Sequence, residues 1–124
     1  MIACAMAEKS QFQRGIELFN AGKFFEAHEA WEEIWLAASE PEKTFLQGLI
    51  QVSAAFHHRS RGNRQGMESL LEAGLAKLVS FPDGYRRIDL AKLRVDAKAW
   101  AAEQDATAEI NRRPRIELHP ETSE

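Results

Sequence analysis

The stretch FLQGLIQVSAAFHH, residues 45–58, decides the fold. Wound at about 100° per residue, it places Phe45, Leu49, Val52 and Phe56 on one arc of a helix and Leu46, Ile50 and Ser53 on another. A helix that is apolar on more than one side belongs at the centre of a bundle rather than on its surface. Its single polar stripe is narrow, with Gln47, Gln51 and His58 inside a sector of about 40°. Arg59 and Arg61 close the segment, and Gly62 is placed to stop it in a left-handed conformation.

Helical periodicity continues on both sides. Upstream, Pro41 suits a first helical turn and the carboxylates of Glu40 and Glu42 suit its positive end. Before that, FFEAHEAWEEIWL, residues 24–36, forms a second helix that fades near Ser39, preceded by one carrying Phe12, Ile16 and Phe19. That earlier helix is expected to be capped by Ser10 and stopped by Gly22, with residues 1–9 a loose leader. Downstream, Asn63 can cap a helix with Met67, Leu70, Leu71, Leu75 and Leu78 facing inward. Gly66 and Gly74 interrupt it, at a cost of about 1 kcal/mol each, and such glycines often permit close backbone approach. FPDGY, residues 81–85, reads as a turn. Asp89 caps a last helix carrying Leu90, Leu93, Ala97 and Trp100, after which residues 107–124 read as an extended tail, with Ile116 and Leu118 as its docking residues. No alternating strand pattern occurs. Short connections favour antiparallel neighbours. The expectation is a single all-α domain over residues 1–124: a bundle of five to six helices around a central one at about 43–60.

Composition narrows the function classes. The 124 residues are 44% hydrophobic, enough for one core, and a net charge of −3 argues against nucleic acid as the default partner. The single cysteine, Cys4, allows no internal disulfide and no paired-thiolate metal site. No segment has the length of a membrane span or signal core, so a cytoplasmic protein is expected.

The chemistry-bearing residues concentrate in the second helix. Ile34, Ala27, Trp31, Phe24 and Trp35 run up one flank, and Phe25 and Leu36 form another. His28 and Glu32 fall between them, one turn apart and able to pair. A titratable pair inside an apolar arc needs partners within the fold. The expected partners are Gln47, Gln51 and His58 of the central helix, with Glu29 joining from the rim and Phe24, Trp31 and Trp35 as walls. Such a cluster can fix helix register as a satisfied network, line a small-molecule pocket, or act in catalysis. As a metal site it matches no established pattern. His28-Glu29 opens like a zincin motif, but position 32 is Glu rather than His, and the Glu-x-x-His pairs of di-iron bundles are missing. His28, Glu32 and His58 form a valid but undiagnostic ligand set. No metal and no cofactor is therefore expected. Arg59, Arg61 and Arg64 around the Gly62-Asn63 turn are a candidate anion site, although cations near a helix C-terminus are also ordinary. His57 reads as a core or boundary residue, and His119 carries no pattern.

Three segments, LFNAGKFFEAHEAWEEIWL (18–36), FLQGLIQVSAAFHH (45–58) and RGNRQGMESLLEAGLAKL (61–78), together resemble a family of small bacterial and archaeal proteins, domain of unknown function three-zero-nine. The shared positions are Gly22, Phe24, Glu26, His28, Glu29, Trp31, Glu32, Trp35, Gln47, Gly48, Gln51, His58, Gly62, Asn63 and Gly66. The resemblance implies an all-helical fold with a central helix and implies no activity. Residues 18–27 also look like one tetratricopeptide hairpin, but no second copy follows, so a peptide-binding solenoid is not expected. The sequence reading is thus of an uncharacterised helical protein, a binding or scaffold module with a small molecule, a protein or a second copy of itself as partner, and no nucleic acid or membrane. The alternative is a metal-assisted or general acid–base enzyme using His28, Glu32 and His58.

Overall fold

The computed structural model describes residues 2–103 and 113–119, with side chains from residue 11 onward. Five α-helices follow one another: α1 (Ile2–Asn20), α2 (Phe24–Trp35), α3 (Glu42–Ser60), α4 (Arg64–Leu78) and α5 (Leu90–Ala102), with a short 3-10 turn at Tyr85–Arg87 before α5. The described residues form no strand, and one antiparallel bridge joins Ile88 to Leu118. The all-helical bundle read from the sequence is thus the observed architecture.

Helix ends follow local chemistry. Asn63 Oδ1 accepts from the Gly66 N–H at 2.9 Å, and Asp89 Oδ1 accepts from the Lys92 N–H at 3.1 Å, so both expected caps are in place. Gly22 and Gly62 turn the chain at φ +82° and +76°. The start of α1 differs from expectation. The helix already runs at Ile2, so residues 2–9 are not a loose leader and Ser10 lies inside the helix rather than capping it. The segment IACAMAEK holds no Gly or Pro and is rich in Ala, Met, Glu and Lys, which continue a helix upstream more readily than a serine interrupts it.

The helix α3 is central. Phe45, Leu46, Leu49, Ile50, Val52, Ala55 and Phe56 are all buried, and α3 packs extensively on both α2 and α4. Its contact with α4 is made backbone to backbone. A methyl group at Gly74 would lie 2.9 Å from the Gly48 carbonyl oxygen and 3.0 Å from the Val52 nitrogen, while one at Gly48 would lie 2.8 Å from Leu78 Cδ2. The two glycines thus let the helices meet closer than any side chain allows. At one end of α3 an aromatic cluster ties together four helices. Phe56 lies 5.0 Å from Trp100, 5.4 Å from Phe24 and 6.2 Å from Phe19 by ring centroids. At the other end Phe45 stacks with Phe81 and Tyr85 at 5.1 and 4.7 Å. There Glu42 accepts a hydrogen bond from Tyr85 and pairs with Arg86. Burial first, and then that bond to Glu42, hold the Tyr85 phenol above its ordinary pKa.

The tail docks as expected for Ile116 and Leu118. Ile116 is buried, and its backbone exchanges two hydrogen bonds with the Asn20 side chain, N–H to Oδ1 at 2.7 Å and Nδ2 to the carbonyl at 3.0 Å. Residues 107–112 and 120–124 of the expected tail lie outside the described residues.

The glycine contact predicts a specific cost. Gly74→Ala improves intrinsic helix propensity but forces the Gly48 carbonyl and Val52 away, and is expected to destabilise the protein by about 1–3 kcal/mol. Urea denaturation checks this: a variant as stable as the parent would mean that the α3–α4 contact is not tight.

Candidate functional site

The α2 helix divides its side chains between two tasks. Phe24, Ala27, Ala30 and Trp31 are buried. Trp31, fully buried, turns toward α1, where its indole Nε1 donates to the Phe12 carbonyl at 3.1 Å. The indole lies over Gly15, where a β-carbon would fall 2.2 Å from Nε1. Trp31 is thus a helix-to-helix clamp and does not wall in His28.

His28 and Glu32 correct the sequence reading. Their nearest approach is 3.8 Å, with side-chain exposures of 23% and 51%. His28 Nδ1 bonds only within its own helix, to the Phe25 carbonyl at 3.3 Å. Neither makes a hydrogen bond to α3 among the described residues. The reason lies in the second flank of the expected arc. Phe25 and Leu36, which define it, are 46% and 69% exposed. The buried arc therefore ends near Trp35, and His28 and Glu32 sit on its rim. Trp35 is only half-buried, with Lys43 Nζ 4.3 Å above its ring.

The other members of the expected cluster are dispersed. Glu29 is exposed and Gln47 half-buried. Gln51 places its Oε1 in the interior without a hydrogen-bond partner, as does Ser53 with its Oγ. His58 serves the α3–α4 turn, where its Nδ1 faces Asn63 Nδ2 at 3.1 Å. The three arginines also diverge. Arg59 lies over the Trp100 ring at 4.0 Å and donates to the Glu103 carbonyl at 3.1 Å, Arg64 pairs with Glu68 at 3.2 Å, and Arg61 is exposed.

What the structure does bring together at this corner is aromatic. Phe25 is flanked by His28 at 5.4 Å and by His57 at 5.1 Å, ring centroid to centroid, and His57 in turn lies 6.2 Å from His58. Beside it is a shallow concavity of about 400 Å³ lined by Gly22, Lys23, Phe24, Phe25, His57 and Ser60, among others. The first turn of α2 and the last turn of α3 build this corner. Phe25 escaped notice as a surface group because helical periodicity assigned it to the core.

A second constellation had no local signal. Among the described residues, one group of three metal-capable side chains places its ligand atoms within 4.8 Å of one another: Asp83, Asp89 and His119. His28, Glu32 and His58 form no such group. Asp83 Oδ1 already accepts from the Leu90 and Ala91 N–H groups at 2.8 and 3.3 Å, and stands 3.9 Å from His119 Nε2. Here Asp83 acts as an anchor for the start of α5 and for the tail. The Ala91 N–H, with Leu90 and the His119 imidazole adding to it, holds the Asp83 carboxyl below its ordinary pKa.

A family model described as "Domain of unknown function (DUF309)" matches residues 12–70. That span reaches from α1 into α4 and includes Trp31, His28 and both caps of the α3–α4 turn. The match takes in the first two segments on which the resemblance was read and part of the third. The chain is also 32% identical over 107 residues to an uncharacterized protein of Aquifex aeolicus (strain VF5). The alignment covers 86% of this chain and 31% of that relative, so the chain spans about a third of the relative's length.

Glu32→Ala should shift stability by no more than about 0.5 kcal/mol, as at other exposed positions. Trp31→Phe should cost about 1–3 kcal/mol, because it removes the buried indole hydrogen bond to Phe12 and leaves a void over Gly15. Thermal unfolding of both variants tests the assignment, and the reverse ranking would contradict it. The Asp83 carboxyl titrates lower in the folded than in the unfolded protein, so its contribution is present above the unfolded value and lost as pH falls through the folded one. Asp83→Asn should therefore be less stable than the parent at neutral pH, with the gap closing below about pH 4. A gap that persists unchanged into acid would show that the charge is not what matters.

Proposed function

We propose that the protein is a binding module whose contact surface is the corner where α2 begins and α3 ends. The observation that carries this reading is Phe25. A phenylalanine exposed to 46% and held between two imidazoles is a pre-positioned aromatic anchor. Aromatic anchors of this kind carry most of the energy at interfaces, with polar groups around them supplying orientation. The rim offers Lys23, Ser60, His28 and His57 as hydrogen-bonding and cationic groups. The adjoining concavity of about 400 Å³ suits one apolar or aromatic group of a small molecule or of a protein side chain.

The acid–base or metal-assisted alternative is less well supported. It needs His28, Glu32 and His58 on one reacting centre, and His58 is engaged with Asn63. A single cysteine fits a reducing compartment, which supports a cytoplasmic location. No helix among the described residues is long and apolar enough to cross a membrane.

Chemical-shift mapping tests the proposal. A set of small aromatic and carboxylate fragments titrated into labelled protein should perturb Phe25, His57 and Ser60 first. Phe25→Ala should abolish these shifts while leaving the thermal midpoint nearly unchanged. Shifts that map elsewhere, or that survive the substitution, would remove Phe25 from the contact surface.

A further inference from the structure

The helices α4 and α5 touch sparsely, and an open groove of about 600 Å³ lies between them. Leu71, Leu75 and Ala76 supply its apolar lining. Its charges are segregated. The α4 wall carries Glu68 and Glu72, one turn apart, and the α5 wall carries Arg94 and Lys98, also one turn apart. The two walls do not neutralise each other. Glu68 pairs with Arg64 on its own helix, and Glu72, Arg94 and Lys98 form no ion pair among the described residues. One large apolar side chain of its lining stands exposed: Val79, at 61%.

We infer that this groove is a self-association surface, occupied by the same groove of a second copy of the chain. The argument rests on charge complementarity. A partner of one charge sign would satisfy one wall and oppose the other. A two-fold axis running along the groove turns the acidic wall of each copy onto the basic wall of its partner, so that a single patch satisfies itself and every contact is made twice. The same rotation covers Val79, which is otherwise exposed. A net charge of only −3 opposes the pairing weakly. This surface shares no residue with the Phe25 corner, so the inference stands or falls independently of the proposed binding role.

Sedimentation equilibrium of the full chain over two decades of concentration is the test, with charge reversals at exposed positions. The parent should show a reversible monomer–dimer equilibrium. Glu72→Lys and Lys98→Glu should each weaken it roughly tenfold, since each reversal acts at two symmetric sites. The double variant Glu72→Lys/Lys98→Glu should restore it. Val79→Ser, which alters no charge, should also weaken it. Circular dichroism confirms that each variant is folded. A parent that stays monomeric throughout would overturn the inference and leave the groove to a different partner, such as an amphipathic helix. A dimer indifferent to the reversals, or one that the double variant fails to restore, would place the interface elsewhere and overturn it equally.

Discussion

The rest of the structure depends on the approach of α3 and α4 through Gly48 and Gly74. With the β-carbon site of Gly74 only 2.9 Å from the Gly48 carbonyl oxygen, the two helices are fixed in depth as well as in register. Their close contact lets Leu78 fold over Gly48 and Val52 over Gly74, closing one side of the central helix without a bulky layer between. The opposite side of α3 is left to α2, where Phe24 and Ala27 are buried and Trp31 reaches onward to α1. One helix pair made of small residues and another made of large ones is an economical way to enclose a helix on several faces, because core volume must be filled to near-crystalline density.

Much of this was legible in the sequence because it rests on local rules. The two-sided apolar pattern of residues 45–56 identified the central helix. Asn63 and Asp89 were recognisable as caps from residue type and position alone. Ser10 misled, since a good capping residue inside a segment of strong helix formers is only a helical residue. The interior glycines of α4 were legible as signs of close approach, but not as to what approached. Gly48 appeared in the sequence only as one letter of a motif, and its pairing with Gly74 is a tertiary fact.

The site was legible only in part, for a geometric reason. Helical periodicity ranks residues by polarity and cannot say where an apolar arc meets solvent. Phe25 and Leu36 widened the arc on paper, and His28 and Glu32 were drawn into it. In the fold Phe25 and Leu36 are 46% and 69% exposed, so neither extends the buried arc. Residue type therefore overstated burial at Phe25 and Leu36 and, with them, at His28 and Glu32. The grouping of Asp83 and Asp89 with His119 had no sequence signal at all, because the tail returns to the start of α5 through contacts of its backbone with Ile88, Arg87 and Asn20. Such contacts follow no periodicity and leave no mark on composition.

The division of labour along α2 connects fold to function. Phe24 and Phe25 are neighbours in sequence but about 100° apart around the helix, and that rotation separates their tasks. Phe24 is sealed against Phe19, Phe56 and Trp100, so that its replacement would disturb four helices. Phe25 lies against two imidazoles and is 46% exposed. A bundle held by buried aromatics and a backbone contact can tolerate different side chains along its rims, because nothing in the interior depends on them. Recognition can then be written into Phe25, His28 and His57 without altering the framework that presents them. The same logic applies to α4, whose buried side carries Met67, Leu71, Gly74 and Leu78 while Glu72 stays exposed at the groove wall. A helical bundle of this size gains its specificity from the positions that its core leaves unused.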